Sequence, residues 1–595
     1  MTRPEGNYSK DTIERRNIIL DTYIKAQNDG DRNIHFVDGS AFFSDDLRFN
    51  CTADGCHPND LGMYYISQGI LKVLSRIKIL RSNFMIKLNE LSNKKIDLPC
   101  LKMVSQGRAY ELLRADVREH IKKAHDTMGF IYCRFHGIFH DDMDVVYVRE
   151  DGSFGYHWHH IDKIFDFLLS IGMKPFIELN PMPSLLASGE QTMFWYKMNV
   201  TPPKEQEDWY DLIYNFTDHI TERYGEEEVK KWFFEVWNEP NLDCFWSSTQ
   251  EAYFELYTTS AKAVKAINEE YKVGGPATAT TDWIVETIDY CVENNVPIDF
   301  VTTHLYPQDE YCLYKTRENS PYEKIGDYFI KEVKKVKEQV DSSKRPDLPI
   351  FWTEFNTLST DSEEHITFLN NTALDRLYGA SCVCRCLLET MDYSDGVAYW
   401  TVSDVFEESQ MRHTPFSGTY GMLTLQGIKK ATYNAFELMK RLRGKRFAID
   451  ASAPLGCGIV ATEENGIFRI LMYNCNLPEI KEQPIWTETI SIPNINAENY
   501  IFEQAKIEKG KGSAYEEWVK MGKPANLTIF EEAYLRSCAE MNYSLINISG
   551  NIAEFDISLK PDEVCYIEIH KRTKDVAIWA SNEQLEEQLN TGKND

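Results

Sequence analysis

Three successive segments decide how the fold is read: FIYCRFH (130–136), HIDKIFDFLLSIG (160–172) and KPFIELN (174–180). The first and third are apolar runs of strand length, and the middle one is an amphipathic segment of helical length. The same alternation extends in both directions. CLKMVS (100–105) precedes the trio, and WFFEVWN (232–238), KVGGPA (272–277), IDFVTTHLY (298–306), PIFWTEF (349–355) and GVAYWTV (396–402) follow it. Helical patterns such as YELLRADVREHIKKAH (110–125) and PYEKIGDYFIKEVKKVKEQV (321–340) lie between. Eight strand–helix units predict an α/β protein, a (β/α)8 TIM barrel spanning 81–445. A doubly wound sheet is the rival architecture, but its first turn calls for G-x-G-x-x-G, and VSQGRAYE (104–111) does not supply it.

Beyond the barrel the pattern changes to short runs: CGIVATE (457–463), GIFRILMYN (466–474), ETISIPNI (488–495), EFDISL (554–559) and VCYIEIH (564–570). Bounded by Asn, Pro and Gly, they predict a C-terminal antiparallel β-sandwich over 446–575, followed by a polar tail at 576–595. FMIKLNE (84–90) is a strand-like run ahead of the barrel that could pair with the sandwich.

The total of 595 residues allows two to four domains, and 43% hydrophobic with 26% charged residues is the composition of a folded globular chain. Asp plus Glu outnumber Lys plus Arg by 92 to 64, a formal net charge of −28. That balance repels polyanions and argues against nucleic acid or an anionic membrane as a partner. No apolar run reaches the length of a membrane span, and MTRPEGNYSKD carries no secretory leader, so the expected location is cytoplasmic. The 14 cysteines read as reduced thiols. Cys382, Cys384 and Cys386 lack C-x-x-C spacing, so no metal is expected there. A homo-oligomer is compatible with all of this.

In such a barrel the chemistry sits at the carboxyl ends of the strands. The fourth strand ends in Asn238 and Glu239, stopped by Pro240; the seventh ends in Glu354, between Trp352 and Phe355. A carboxylate among aromatic walls is costly to ionise, so it needs a partner or a task. Taken singly, each Glu could merely close an ion pair. Strands four and seven lie across the barrel from each other, however, so the two carboxylates can face one another. At about 5 to 5.5 Å apart, one could protonate a leaving oxygen while the other attacks an anomeric carbon, with net retention.

EVWNEPNL (235–242) and WTEFNT (352–357) resemble the acid/base and nucleophile segments of clan A glycoside hydrolases. The surrounding sequence is similar to glycoside hydrolase family 39, the family of β-xylosidases and α-L-iduronidases. The resemblance runs through GRAYELLRAD (107–116), RFHGIFHDDM (134–143), KPFIELNPMPSLLASG (174–189), VGGPAT (273–278), THLYP (303–307) and YWTVSDVFEE (399–408). It implies Glu239 as general acid/base and Glu354 as nucleophile, with Asn238 on the sugar 2-hydroxyl. His136, His304, Tyr306, Glu407 and Glu408 would contact the glycone or orient the nucleophile, and Trp400 would lie under the sugar ring. Phe194 and Trp195 are candidates for a cleft wall. The Glu239 carboxyl is expected to be raised and Glu354 held ionised. No cofactor is implied. The rim is acidic and aromatic, with only Lys197 and Arg412 as nearby cations, which favours a neutral sugar, most simply xylose from the non-reducing end of β-xylosides. An iduronidase, another β-glycosidase and a binding protein with an inactive barrel are the alternatives.

Residues 1–80 do not fit the barrel. NIHFVDGSAFF (33–43) and CTADGCHPNDLGMYYISQGILKVL (51–74) resemble the end of an SGNH (GDSL-type) esterase, with Asp54 and His57 as a vestigial dyad. No G-D-S strand precedes them, so the expectation is a short incomplete α/β fragment. An esterase–glycosidase would require a Ser block upstream.

Overall fold

The computed structural model describes residues 10–28, 59–74, 85–307, 309, 327–357, 373–408, 413–449, 453–477, 483–548 and 550–572. Asp54, His57, Arg412 and the polar tail lie outside them. The eight expected strands close into a parallel barrel: Met103–Arg108, Tyr132–His136, Lys174–Leu179, Phe233–Val236, Lys272–Thr278, Phe300–His304, Ile350–Phe355 and Gly396–Trp400. Each pairs with its sequence neighbours, and the eighth closes on the first through Ala398 and Met103.

The helices around it form for ordinary reasons. His159–Ser170 buries Ile161, Ile164, Phe165 and Leu168, one stripe at three- and four-residue spacing. Each such side chain contributes roughly 1.5–3 kcal/mol by leaving water. Ala115–Met128 stops where Gly129 turns left-handed at φ 77°, a conformation that costs glycine little.

Period-two alternation sets the inside of the barrel. Met103, Phe176, Phe233, Phe300, Phe351 and Ala398 form one apolar cluster. Phe176 stacks on Phe233 with ring centroids 5.1 Å apart. Two residues further along the same six strands come Ser105, Glu178, Glu235, Thr302, Thr353 and Trp400, all buried. An apolar floor thus supports a mostly polar layer, and the site lies above it.

The C-terminal region is built of antiparallel sheets. One contains Trp486–Asn496 and Ile552–Leu559; Ile86–Lys87 joins it in parallel, Ile86 opposite Ile490. The run at 84–90 therefore does pair with this region. A larger sheet takes in Leu91–Lys95, Lys445–Phe447, Cys457–Glu464, Ile467–Asn474, Val564–Lys571 and Tyr500–Lys509. Its Ile470, Met472 and Phe502 share a core with Ile490 and Phe555 of the smaller sheet. Two helices interrupt the strands, Tyr515–Lys520 and Ile529–Cys538, and pack on Phe416 and Ile428 of the loop after the eighth barrel strand. Thr528 and Glu531 form a capping box that starts the second of them.

Cys382, Cys384 and Cys386 are buried on the helix Tyr378–Thr390. In the amino-terminal piece, Lys10–Asn28 and Asp60–Leu74 are helical. Among the described residues no helix is long and apolar enough to cross a membrane.

Candidate active site

The polar layer centres on Arg134, a fully buried guanidinium on the second strand. Its Nε donates to Glu235 Oε2 at 2.6 Å, Nη1 to Glu354 Oε1 at 2.9 Å and Nη2 to Asn238 Oδ1 at 2.9 Å. Nη2 also lies 2.6 Å from Glu178 Oε2. A guanidinium is the side chain suited to this task, because its planar fork offers five donors and keeps its charge. Removing one partner from such a buried network typically costs about 3–5 kcal/mol, since the remaining charges stay buried.

Glu354 is 5% exposed. Besides Arg134 it has His136 Nε2 at 3.3 Å from Oε1, and it accepts from Tyr306 Oη at 2.9 Å on Oε2. Strand register shifts beside it, between Thr303 and His304 on the sixth strand and between Trp352 and Phe355 on the seventh. Such irregularities re-aim side chains. The placement of two neighbours corrects the sequence reading: Trp352 and Phe355 do not wall the carboxylate. They face outward and pack on Phe329 of the helix Tyr328–Asp341, with centroids 6.4 and 5.0 Å away. The aromatic neighbours of the pocket are Tyr306, Trp400, Phe406 and Tyr420.

Glu239 follows the fourth strand. Left-handed backbone at Trp237 (φ 70°) and Glu239 (φ 44°) turns the chain sharply, and Glu239 N donates to Ala277 O at 2.8 Å. Non-glycine residues are held in this region only where the surroundings impose it. Its Oε1 is 2.9 Å from His304 Nδ1. Because His304 Nε2 faces an Arg134 nitrogen at 3.4 Å, and arginine can only donate, Nδ1 carries the proton and donates to Glu239. Asn238 is fixed by accepting from Arg134, which orients its amide so that Nδ2 is the group left to donate.

The electrostatics separate the two histidines. Burial disfavours a charge on His136, but Glu178 and Glu354 outweigh it and raise the ring to about 10. Burial drives His304 down to about 4, so it is neutral near pH 7. Burial alone would raise Glu354, yet the pull of His304 when charged, the His136 hydrogen bond and Arg134 hold it well below the usual carboxylate range. With His304 neutral, Arg134 and His136 carry that effect. A stability prediction follows from the signs. The ion pairing of His136 stabilises fully below about pH 6.5, the ordinary histidine value, and is lost as pH rises through about 10. Neutral His304 works oppositely, costing stability as pH falls from about 6.5 towards about 4. The urea midpoint of the native protein should drop between pH 7 and pH 10, and His136→Gln should flatten that drop.

The structure thus brings together His136, Asn238, Glu239, His304, Tyr306 and Glu354. Trp400 sits beside them, its ring centroid 4.6 Å from that of His136. Glu408 Oε1 is 3.7 Å from His136 Nε2. Glu407 is committed elsewhere: Arg108 binds Glu407 Oε2 through Nη2 at 2.8 Å and Nε at 3.0 Å. Lys197 is exposed on the hairpin after the third strand. Arg134, Glu178 and Glu235 were not singled out from the sequence, although charged residues in the middle of apolar strands were a visible signal.

Ligand-type atoms of Glu239, His304 and Glu354 all lie within 4.8 Å of one another. Three such groups could coordinate a cation, but His304 Nδ1 points its proton at Glu239 and Tyr306 Oη donates to Glu354, so the donor set is satisfied by internal hydrogen bonds. The same distance has another meaning. One oxygen of each carboxylate lies within that distance of the other, which suits the roughly 5–5.5 Å separation of a retaining pair better than the roughly 6.5–9.5 Å of an inverting one.

A closed (β/α)8 barrel with paired carboxylates at the ends of its fourth and seventh strands is the architecture of a glycoside hydrolase. The family follows from comparison: the model for glycosyl hydrolases family 39 matches residues 85–542, and the chain belongs to that family. It is 38% identical over 486 residues to a β-xylosidase of Caldicellulosiruptor saccharolyticus, covering 80% of this chain and 96% of that protein. It is 34% identical to a β-xylosidase of Geobacillus stearothermophilus, over 71% of this chain and 82% of the other. The crystal structure of a monomeric β-xylosidase from Caulobacter crescentus superposes with a TM-score of 0.71 at 30% identity, over 82% of this chain and 99% of the other.

Proposed function

We propose that this glycoside hydrolase releases xylose from the non-reducing end of β-xylosides by double displacement. The observation that carries the reading is the spacing of Glu239 and Glu354, whose oxygens come within 4.8 Å. Glu354, held ionised by Arg134 and His136, attacks the anomeric carbon as the glycosidic C–O bond breaks. Glu239 delivers its proton to the departing oxygen. The glycosyl–Glu354 ester that results is then hydrolysed by water, with Glu239 accepting the water's proton as the ester bond breaks, and the sugar leaves with its original configuration. Asn238 Nδ2 donates to the 2-hydroxyl, an interaction that strengthens in the transition state.

Xylose is favoured by the β-xylosidases among the relatives and by the charge of the pocket. α-L-Iduronidases are also relatives, the human enzyme being 32% identical over 20% of this chain. A uronate carboxylate needs a free cation, and the buried cations described around the two carboxylates are already engaged: Arg134 and His136 by carboxylates, and Arg108 by Glu407 and by Asp142 at 2.5 Å. Lys197 is exposed on the hairpin tip. Residues 1–80 are read as a piece similar to the end of an SGNH-type esterase; the family match begins only at residue 85.

An aryl β-xyloside, an aryl α-iduronide and an aryl acetate test these readings side by side. Turnover of the xyloside alone is expected. A folded sample that hydrolyses none of the three contradicts the proposal.

A further inference from the structure

The hairpin after the third barrel strand, Thr192–Met193 paired with Met198–Asn199, carries FWYK at its tip. Phe194 (φ 62°) and Lys197 (φ 60°) both adopt left-handed backbone, which side chains other than glycine rarely accept. At this tight tip the Phe194 and Trp195 rings flank that of Tyr196, with centroids 5.3 and 6.4 Å from it, and each of the three also has a partner outside the hairpin. Tyr196 lies under the Arg108 guanidinium, 4.3 Å from its ring centroid, and its carbonyl faces His140 Nε2 at 3.0 Å. Phe194 packs edge-on against Phe245, 5.6 Å away, in the loop that carries Glu239. Gln191 at the base of the hairpin donates to Asp243 O in that same loop at 3.0 Å.

Trp195 remains 54% exposed. Its Nε1–H is nevertheless fixed, donating to Glu407 O beside Glu408. The indole is therefore held at the rim, between the Glu239 loop and the residue that approaches His136. An exposed tryptophan normally sacrifices contacts and keeps its rotamers; this one is tied to Glu407 O, on a hairpin that Gln191, Phe194 and Tyr196 brace against the end of the first strand and the loops after the second and fourth, near the apolar cluster of Trp400, Tyr306, Phe406 and Tyr420.

We infer that Trp195 is the platform for the aglycone, the neutral sugar or aryl group on the leaving side of the scissile bond, stacking on its apolar C–H face. The inference rests on the glycosidase reading above, and deepens it by naming what selects the leaving group. Glu239 must reach the leaving oxygen, so the departing unit passes over the loops after the third and fourth strands, and Trp195 is the exposed aromatic ring that the hairpin offers there. A half-exposed indole with its polar N–H tied down is suited to an uncharged pyranose.

The test compares two substrates that differ in whether the aglycone site is filled. Xylobiose fills it with a sugar; β-xylosyl fluoride leaves it empty, because the departing group is a single ion. Trp195→Ala should lower kcat/KM on xylobiose by about tenfold or more, and at least several times further than on the fluoride. Trp195→Phe, which retains a ring, should recover part of the loss on xylobiose. Equal losses on both substrates, or none on xylobiose, overturn the platform while leaving the glycosidase reading standing. Failure of the unsubstituted enzyme to cleave either substrate overturns both.

Discussion

Glu354→Ala lowers turnover of an aryl β-xyloside by roughly four orders of magnitude or more, the scale of loss when a catalytic nucleophile is removed. The protein should remain folded although less stable by about 3–5 kcal/mol, because Arg134 keeps its contacts to Glu178, Glu235 and Asn238. Truncation leaves a cavity on the face of the sugar opposite the leaving group. A small anion such as azide can enter it and attack the anomeric carbon directly. That route has one displacement in place of two, so its product is α-xylosyl azide, of inverted configuration. Near-normal turnover by this variant would remove Glu354 from the nucleophile role.

The second large effect belongs to Glu239→Ala, and its pattern depends on the leaving group. With a poor leaving group such as xylose the first step loses its proton donor, and the rate should fall by about 10²–10⁴-fold. With a dinitrophenolate the first step scarcely needs a proton, so the slow step becomes hydrolysis of the glycosyl ester without its base. The ester should then accumulate, visible as a burst of dinitrophenolate followed by slow turnover. Azide needs no base and should speed the second step. Because it attacks an enzyme-bound ester, its product is β-xylosyl azide, of retained configuration. The two variants are thus separated by the stereochemistry of one product, measured by NMR. Absence of azide rescue in Glu239→Ala counts against its acid/base role.

How far this site was legible depends on where each residue lies on its strand. His136, His304 and Trp400 end apolar runs, and a polar residue at the carboxyl end of a barrel strand is expected at the mouth; an aromatic one is less decisive, since Trp400 lies there and Phe355 does not. Glu354 was legible for the same reason, but its surroundings were not. Alternation alone turns Trp352 to the helix layer, between inward Phe351 and Thr353. The register shift that follows it leaves Phe355 on that layer as well while Glu354 reaches the mouth, and nothing in PIFWTEF announces an irregularity that depends on the neighbouring strands. Arg134, Glu178 and Glu235 lie inside their strands, in the layer above the phenylalanine floor. Their charge was visible in FIYCRFH, KPFIELN and WFFEVWN, yet which carboxylate each guanidinium nitrogen meets is set by the stagger of the closed barrel. Glu407 shows the opposite difficulty: adjacent to Glu408 in sequence, it turns to Arg108 instead of the pocket. The helices Tyr515–Lys520 and Ile529–Cys538 escaped a reading tuned to alternating runs, although Thr528 and Glu531 stood at capping-box spacing.

The central claim is that Glu354 becomes covalently bonded to the sugar. A 2-deoxy-2-fluoro-β-xyloside with a dinitrophenyl leaving group tests this most directly, because the fluorine slows both steps and the good leaving group restores only the first. Incubation should inactivate the enzyme with release of one dinitrophenolate per chain, add one fluoroxylosyl mass, and place that mass by peptide mapping on Glu354. An adduct on Glu239, Glu408 or any other carboxylate would contradict the account, as would steady turnover of the substrate with no adduct at all.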